Sequence, residues 1–175
     1  MILKLKRTPG LYLVGFMASG KTTIGRLLAD ELGWDFADLD EDIVTAQGAE
    51  IVEIFDSYGE EEFRKTEHAA IRKRVGQIER GRPMVVALGG GTFVSEVIQK
   101  YLIENGITIW LDCPFERVSG RVQGSSNRPL ARDPEKFKKL YQDRREAYGK
   151  AEYHIEIESD DPAHVVAAIL KLPVF

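Results

Sequence analysis

The run Leu11-Tyr12-Leu13-Val14 is continuously apolar and closes on Gly15, and from Lys21 to Leu32 the apolar residues Ile24, Leu27, Leu28 and Leu32 return at helical spacing. This predicts strand, glycine loop, helix. Gly33 supplies a helix stop, Trp34 to Ala37 reads as a short extended run, and Asp38-Leu39-Asp40-Glu41-Asp42 leads into a further helix. The second strand therefore ends in carboxylates. From Glu50 to Gly81 the pattern is helical, with a break near Gly59 and with Phe63, Ala70, Ile71, Val75 and Ile78 as the expected buried face of the second part. Pro83 admits a third strand, Met84 to Leu88, which stops at Gly89-Gly90-Gly91, and Ser95 suits the cap of a helix reaching about Asn105. Ile107 to Leu111 reads as the fourth strand. Pro114 fits the first turn of a helix to about Gln123, and Gly124-Ser125-Ser126-Asn127 predicts a mobile polar loop. A helix from Pro134 to about Lys150, a strand around His154 to Ile157, and a helix from Pro162 to Leu172 capped by Asp161 complete the alternation.

Strands separated by helices pair in parallel through right-handed crossovers, and such open sheets bind ligands beyond the carboxyl ends of their strands. Gly15, Asp38 and Gly89 all fall at those ends, so the pattern gathers a glycine loop, an acidic pair and a triple glycine around one crevice. A chain of 175 residues is expected to form one domain.

The first loop carries specific chemistry. Gly15-Phe16-Met17-Ala18-Ser19-Gly20-Lys21-Thr22 fits G-x-x-x-x-G-K-[ST] between a predicted strand and a predicted helix, the context in which backbone amides and a helix N-terminus cradle phosphates. Gly15, Ala18, Ser19, Gly20 and Thr23 are the expected nucleotide contacts around Lys21, which would reach the β- and γ-phosphates of ATP. Thr22 would place its hydroxyl on Mg²⁺. The alternative is a glycine-rich strand-to-helix turn with a solvent lysine.

Composition narrows the partners. A formal net charge of −4 argues against nonspecific nucleic-acid binding, and the 43% hydrophobic, 30% charged balance is that of an ordinary globular protein. Cys113 is the only cysteine, which excludes an intrachain disulfide and, with three scattered histidines, offers no zinc-type spacing. His68, His154, His164 and Cys113 are expected to be structural or solvent-facing. No segment is long enough to span a membrane, no signal peptide is recognisable at the start, and a cytoplasmic monomer is the default expectation.

The acceptor must be argued from the rest of the crevice. Gly15-Phe16-Met17, Asp38-Leu39-Asp40, Gly59-Glu60 with Phe63-Arg64, Gly89-Gly90-Gly91 and Arg128-Pro129-Leu130 together resemble the shikimate kinases over Gly15 to about Tyr148. That resemblance implies an α/β P-loop NTPase fold of the nucleoside-monophosphate-kinase type, three layers with a five-stranded parallel sheet. It implies a single kinase domain over 1–175, with an acceptor-binding segment at about 39–67 and a lid at about 123–135. The implied reaction is transfer of the γ-phosphate of ATP to the 3-hydroxyl of shikimate. Asp40 matches the carboxylate that contacts the acceptor hydroxyls and suits a base, and Asp38 matches the acid that holds magnesium through water, standing in for the Walker-B aspartate absent from Val85-Val86-Ala87-Leu88. An extended segment would aim both acids at the crevice; a solvated acidic helix start is the bland alternative.

Shikimate is a carboxylate with three hydroxyls, so its site calls for guanidinium donors as well as carboxylate acceptors. Arg64 matches the family's Phe-Arg pair, and Glu67 could orient it across one helical turn. Arg144 matches the late arginine before a tyrosine, here Tyr148, but the family's intervening proline is missing from Arg144-Arg145-Glu146-Ala147-Tyr148, which leaves Arg145 open as the acceptor ligand. Gly89, Gly90 and Gly91 would present amides to the acceptor. Arg128 matches the lid arginine that closes over the phosphates, and Arg121 the residue that stacks on adenine. Gluconate kinase and nucleoside-monophosphate kinases are the nearest other activities. A nucleotide-dependent binding module without turnover would be expected to lack Lys21, Asp40 or Arg128, and all three are present.

Overall fold

A computed structural model of the chain describes residues 10–123 and 133–175. Among these, five strands form one sheet: β1 (Gly10–Val14), β2 (Asp35–Asp38), β3 (Met84–Ala87), β4 (Ile107–Asp112) and β5 (Tyr153–Glu156). The order across the sheet is β2-β3-β1-β4-β5, and every pairing is parallel. The helices between them are α1 (Lys21–Leu32), α2 (Leu39–Gln47), α3 (Ile51–Glu79), α4 (Glu96–Asn105), α5 (Phe115–Gln123) and α6 (Pro134–Tyr148), and α7 (Pro162–Leu170) follows β5. Every residue of β1 and β3 is buried, which requires cover on both faces of the sheet and explains why these strands read as unbroken apolar runs.

Local chemistry sets the element ends. Asp161 accepts from Ala163 N and caps α7, Asp133 caps α6 with Pro134 in its first turn, and Ser95 Oγ accepts from Ile98 N at the start of α4. The break in α3 falls at Gly59 with φ 81° and ψ 173°, a backbone state that an L side chain resists. That kink divides the long helix into the segment after α2 and the segment that carries Arg64.

Two expected core faces are rotated. On α1 the buried stripe is Ile24, Gly25, Leu28 and Ala29, while Leu27 is 39% exposed, because Gly25 lets the helix settle onto Phe36 and Leu13. On α3 the stripe is Phe63, Glu67, Ile71, Val75 and Ile78; Ala70 is only part-buried, and a carboxylate takes a place in the stripe.

Gly25 and Gly76 make opposite predictions for the same substitution. A methyl group on Gly25 would lie 2.5 Å from Phe36 Cε2 and 3.2 Å from Leu13 Cδ1, whereas one on Gly76 meets nothing within 4 Å. Gly25→Ala is expected to lower stability in urea unfolding by about 1–3 kcal/mol through overpacking. Gly76→Ala is expected to raise it by about 0.5–1 kcal/mol through helix propensity. A neutral Gly25→Ala would show that α1 does not need this close approach.

Candidate active site

The loop between β1 and α1 is wound tightly. Ser19 N donates to Phe16 O, Gly20 sits at the helix N-cap with φ 95°, and Ala18 takes φ 59°, a state that costs an L-residue about 1–3 kcal/mol. A methyl group on Gly15 would lie 2.7 Å from Leu111 O, so only glycine fits where the loop leaves the sheet. Lys21 is buried, and its Nζ donates to Gly15 O and Phe16 O at 2.8 Å each. Its ammonium thus lies within the curl of the loop, at the start of α1, where helix amides and dipole favour an anion.

Asp38 and Asp40 do not alternate along a strand as expected. Asp38 ends β2 and is the N-cap of α2: Oδ1 accepts from Asp40 N at 3.0 Å and Glu41 N at 3.2 Å. Its other oxygen, Oδ2, accepts from Thr22 Oγ1 at 2.6 Å. The helix starts at Leu39, two residues earlier than the extended reading allows, because a capping carboxylate satisfies amides that would otherwise be orphaned. Asp40 is therefore in the first turn of α2, and its Oδ1 lies 2.7 Å from where a methyl group on Gly89 would stand. Thr22 and Asp38 bring hard oxygen donors together at the foot of the phosphate loop, a set that suits Mg²⁺.

Gly90 and Gly91 meet the arginines. A methyl group on Gly90 would lie 3.4 Å from both Arg144 Nη1 and Met17 N, and one on Gly91 would lie 3.2 Å from Arg64 Nη2 and 3.4 Å from Arg144 Nη2. Arg64 Nη1 donates to Gly91 O at 3.3 Å and to Glu67 Oε1 at 2.8 Å. Glu67 is 1% exposed, and its second oxygen accepts from the fully buried Thr92 hydroxyl at 2.7 Å. Arg145 turns away to Asp112, so of the two adjacent arginines Arg144 is the one at the glycine turn. Tyr148 donates its hydroxyl to Gly90 O at 2.5 Å; burial pushes its phenol up to about 12, with Arg144 working against that rise.

A cavity of about 240 Å³ runs from Met17 to Thr23 and is bounded by Asp38, Asp40, Leu88 and Gly90. Arg64 and Arg144 stand at Gly91, one residue beyond that wall. A second cavity of about 250 Å³ shares Ala18, Ser19, Gly20 and Thr23 and extends between Arg121, Ile157 and Val165. Arg121 Nη1 donates to Ala18 O at 2.7 Å and its Nη2 lies 3.6 Å from Asp160. Arg128 and most of the expected lid lie outside the described residues. Thr92 was not among the sequence candidates, and no local pattern marks it, since its partner Glu67 is 25 positions away.

A family model described as shikimate kinase matches residues 17–172. The chain belongs to the shikimate kinase family. It is 39% identical over 161 residues to the shikimate kinase of Persephonella marina, covering 91% of this chain and 96% of that one. Against the shikimate kinase of Synechococcus elongatus it is 39% identical over 166 residues, covering 93% and 85%. Among solved structures, shikimate kinase from Acinetobacter baumannii in complex with shikimate superposes with a TM-score of 0.84 at 34% identity, over 93% of this chain and 91% of that one. A gluconokinase from Sinorhizobium meliloti, at TM-score 0.56 and 18% identity over 93% and 90%, shares the fold. Membership in the shikimate kinase family carries ATP-dependent phosphoryl transfer with it. No helix among the described residues is long and apolar enough to cross a membrane.

The buried Glu67–Thr92 bond is testable by itself. Thr92→Val keeps the shape and removes one donor from a buried carboxylate, so it is expected to cost about 1–3 kcal/mol in urea unfolding. A loss near zero would mean that Glu67 Oε2 finds another donor.

Proposed function

We propose that the chain is a shikimate kinase in activity as well as in family: it moves the γ-phosphate of ATP to the 3-hydroxyl of shikimate, giving shikimate 3-phosphate and ADP in the route to chorismate and the aromatic amino acids. The observation that carries this is the convergence of one carboxylate, Asp40, and two guanidinium groups, Arg64 and Arg144, on the Gly89–Gly91 turn beside a phosphate loop. A small hydroxylated carboxylate needs that combination: guanidinium forks for its carboxylate and an acceptor for its hydroxyl proton.

In this reading Gly15, Ala18, Ser19, Gly20, Thr22 and Thr23 hold the ATP phosphates with backbone amides and hydroxyls. Lys21 exchanges its bonds to Gly15 O and Phe16 O for the β- and γ-phosphate oxygens. Arg121, already held at Ala18 O, borders the adenine end of the second cavity. Thr22 and Asp38 would hold Mg²⁺, Asp38 through water, and the ion would neutralise charge on the phosphates. Arg64 and Arg144 take the shikimate carboxylate, the amides of Gly89, Gly90 and Gly91 border the ring, and Asp40 orients the attacking hydroxyl and accepts its proton. Arg128 closes from the lid over the transferring group, where a guanidinium stabilises the spread charge and shields the reaction from water. Residues 1–175 act as one kinase domain, with acceptor contacts in about 39–67 and a lid at about 123–135. The enzyme works as a cytoplasmic monomer on small molecules.

The acceptor is decided by a coupled ADP-release assay with shikimate, gluconate, AMP and CMP offered separately under saturating Mg-ATP. Shikimate alone is expected to turn over; equal or faster turnover with another acceptor would reject the substrate, and none with any would favour a binding module. Asp40→Asn is expected to lower kcat by about 10²–10⁴-fold, the usual contribution of a positioned base, with ATP affinity nearly intact. Near-normal turnover of that variant would remove Asp40 from the mechanism.

A further inference from the structure

Helix α6 sends two consecutive arginines in different directions. Arg144 goes to Gly90 and Gly91, whereas Arg145 forks onto the carboxylate of Asp112 at the end of β4, with Nη1 at 2.6 Å from Oδ1 and Nη2 at 2.9 Å from Oδ2. Two parallel charge-assisted bonds fix orientation as well as distance. Asp112 is only 11% exposed at its side chain, so little water competes for it. Burial pushes its carboxyl upward, but the bonds from Arg145 and His154 outweigh that and hold it below the usual value.

The surrounding groups restrain the same guanidinium. Arg145 Nη1 lies 3.1 Å from the Tyr141 hydroxyl, which itself donates to Cys113 O at 2.6 Å, and the guanidinium sits 4.8 Å over the Trp110 ring. His154 stacks on Trp110 at 4.3 Å and brings Nε2 to 2.8 Å from Asp112 Oδ2. Asp112, His154 and Glu156 present ligand atoms within 4.8 Å of one another, but Arg145 already engages both oxygens of Asp112, so the cluster has its cation. Three residues further along α6, Tyr148 is tied to Gly90 O.

Consecutive helix residues differ in heading by about 100°, so a helix held at Arg145 and at Tyr148 has one rotation left, and that rotation sets where Arg144 reaches. No proline stiffens the stretch from Arg144 to Tyr148, which leaves the heading to these tertiary contacts. We propose that Asp112 is a positioning residue for the phosphoryl acceptor: its bidentate pair with Arg145 fixes the rotation of α6 and so holds the Arg144 guanidinium at Gly90 and Gly91. This rests on the reading that Arg144 takes the acceptor carboxylate. Asp112 touches neither substrate in this account and acts only through the helix.

Steady-state kinetics on the full chain separate this from a merely structural anchor. Asp112→Asn and Arg145→Met are each expected to raise the KM for shikimate about tenfold, the scale of one weakened charge-assisted hydrogen bond, and the double variant no further. The KM for ATP and kcat should stay within about twofold, since the phosphate loop is untouched. Arg145→Lys, which keeps the charge but not the fork, should show a smaller rise in the same constant and serves if Asp112→Asn does not fold. Arg144→Met tests the underlying reading and must raise the shikimate KM at least as much as Asp112→Asn. If Arg144→Met raises it and the Asp112 and Arg145 variants do not, the positioning role is overturned while the reading stands. An unchanged shikimate KM in Arg144→Met overturns both. Parallel rises in the KM for ATP and for shikimate would mean general loosening, and would also overturn the proposal.

Discussion

Parallel pairing of β2 with β3 and of β3 with β1 is the constraint from which the site follows. The register sets Asp38 beside Ala87 and Ala87 beside Leu13, so three chain segments leave the sheet side by side at one edge. The phosphate loop, the acidic start of α2 and the triple-glycine turn are those three segments. Because β1 and β3 are buried on both faces, a slip in either register would cost the core as well as the site. The end of β3 carries no carboxylate, and the sheet holds Asp38 at the same level one strand over.

Two charged groups at the crevice, Asp38 and Arg64, are each held by further groups behind them. Asp38 is fixed by two amides and the Thr22 hydroxyl, Arg64 by the buried Glu67, and Glu67 in turn by Thr92. Buried polar groups left short of partners are costly, so these chains of bonds hold their members in one arrangement. Phosphoryl transfer depends on positioning and electrostatics more than on covalent chemistry, and preorganised charges of this kind are what it requires.

Much of this was legible in the sequence. Motifs whose residues are neighbours along the chain, such as Gly15 to Thr22, declare both their local fold and their chemistry. Caps at Ser95 and Asp161 follow from side-chain competition for orphan amides, and the Gly59 break follows from backbone freedom. What was misread or missed depends on partners far along the chain. Glu67 sits in an apolar stripe because Thr92 and Arg64 satisfy it, and Arg145 is turned away from the Gly89–Gly91 turn because Asp112 engages it. Asp40 was read as continuing the extended segment because the cap that Asp38 places on α2, and its bond to Thr22, are decided only when α2 and α1 meet.

In the proposed reaction the terminal phosphate of the nucleotide and the ring of a hydroxylated acid share one cleft between Lys21, Asp40 and the pair Arg64 and Arg144. A crystal structure of the chain with Mg-ADP and shikimate bound tests it most directly. The expected result is the shikimate carboxylate on Arg64 and Arg144, with a hydroxyl within hydrogen-bond reach of Asp40 on the side facing the phosphate loop. A ring bound elsewhere, with Asp40 and both arginines turned to solvent, would contradict it.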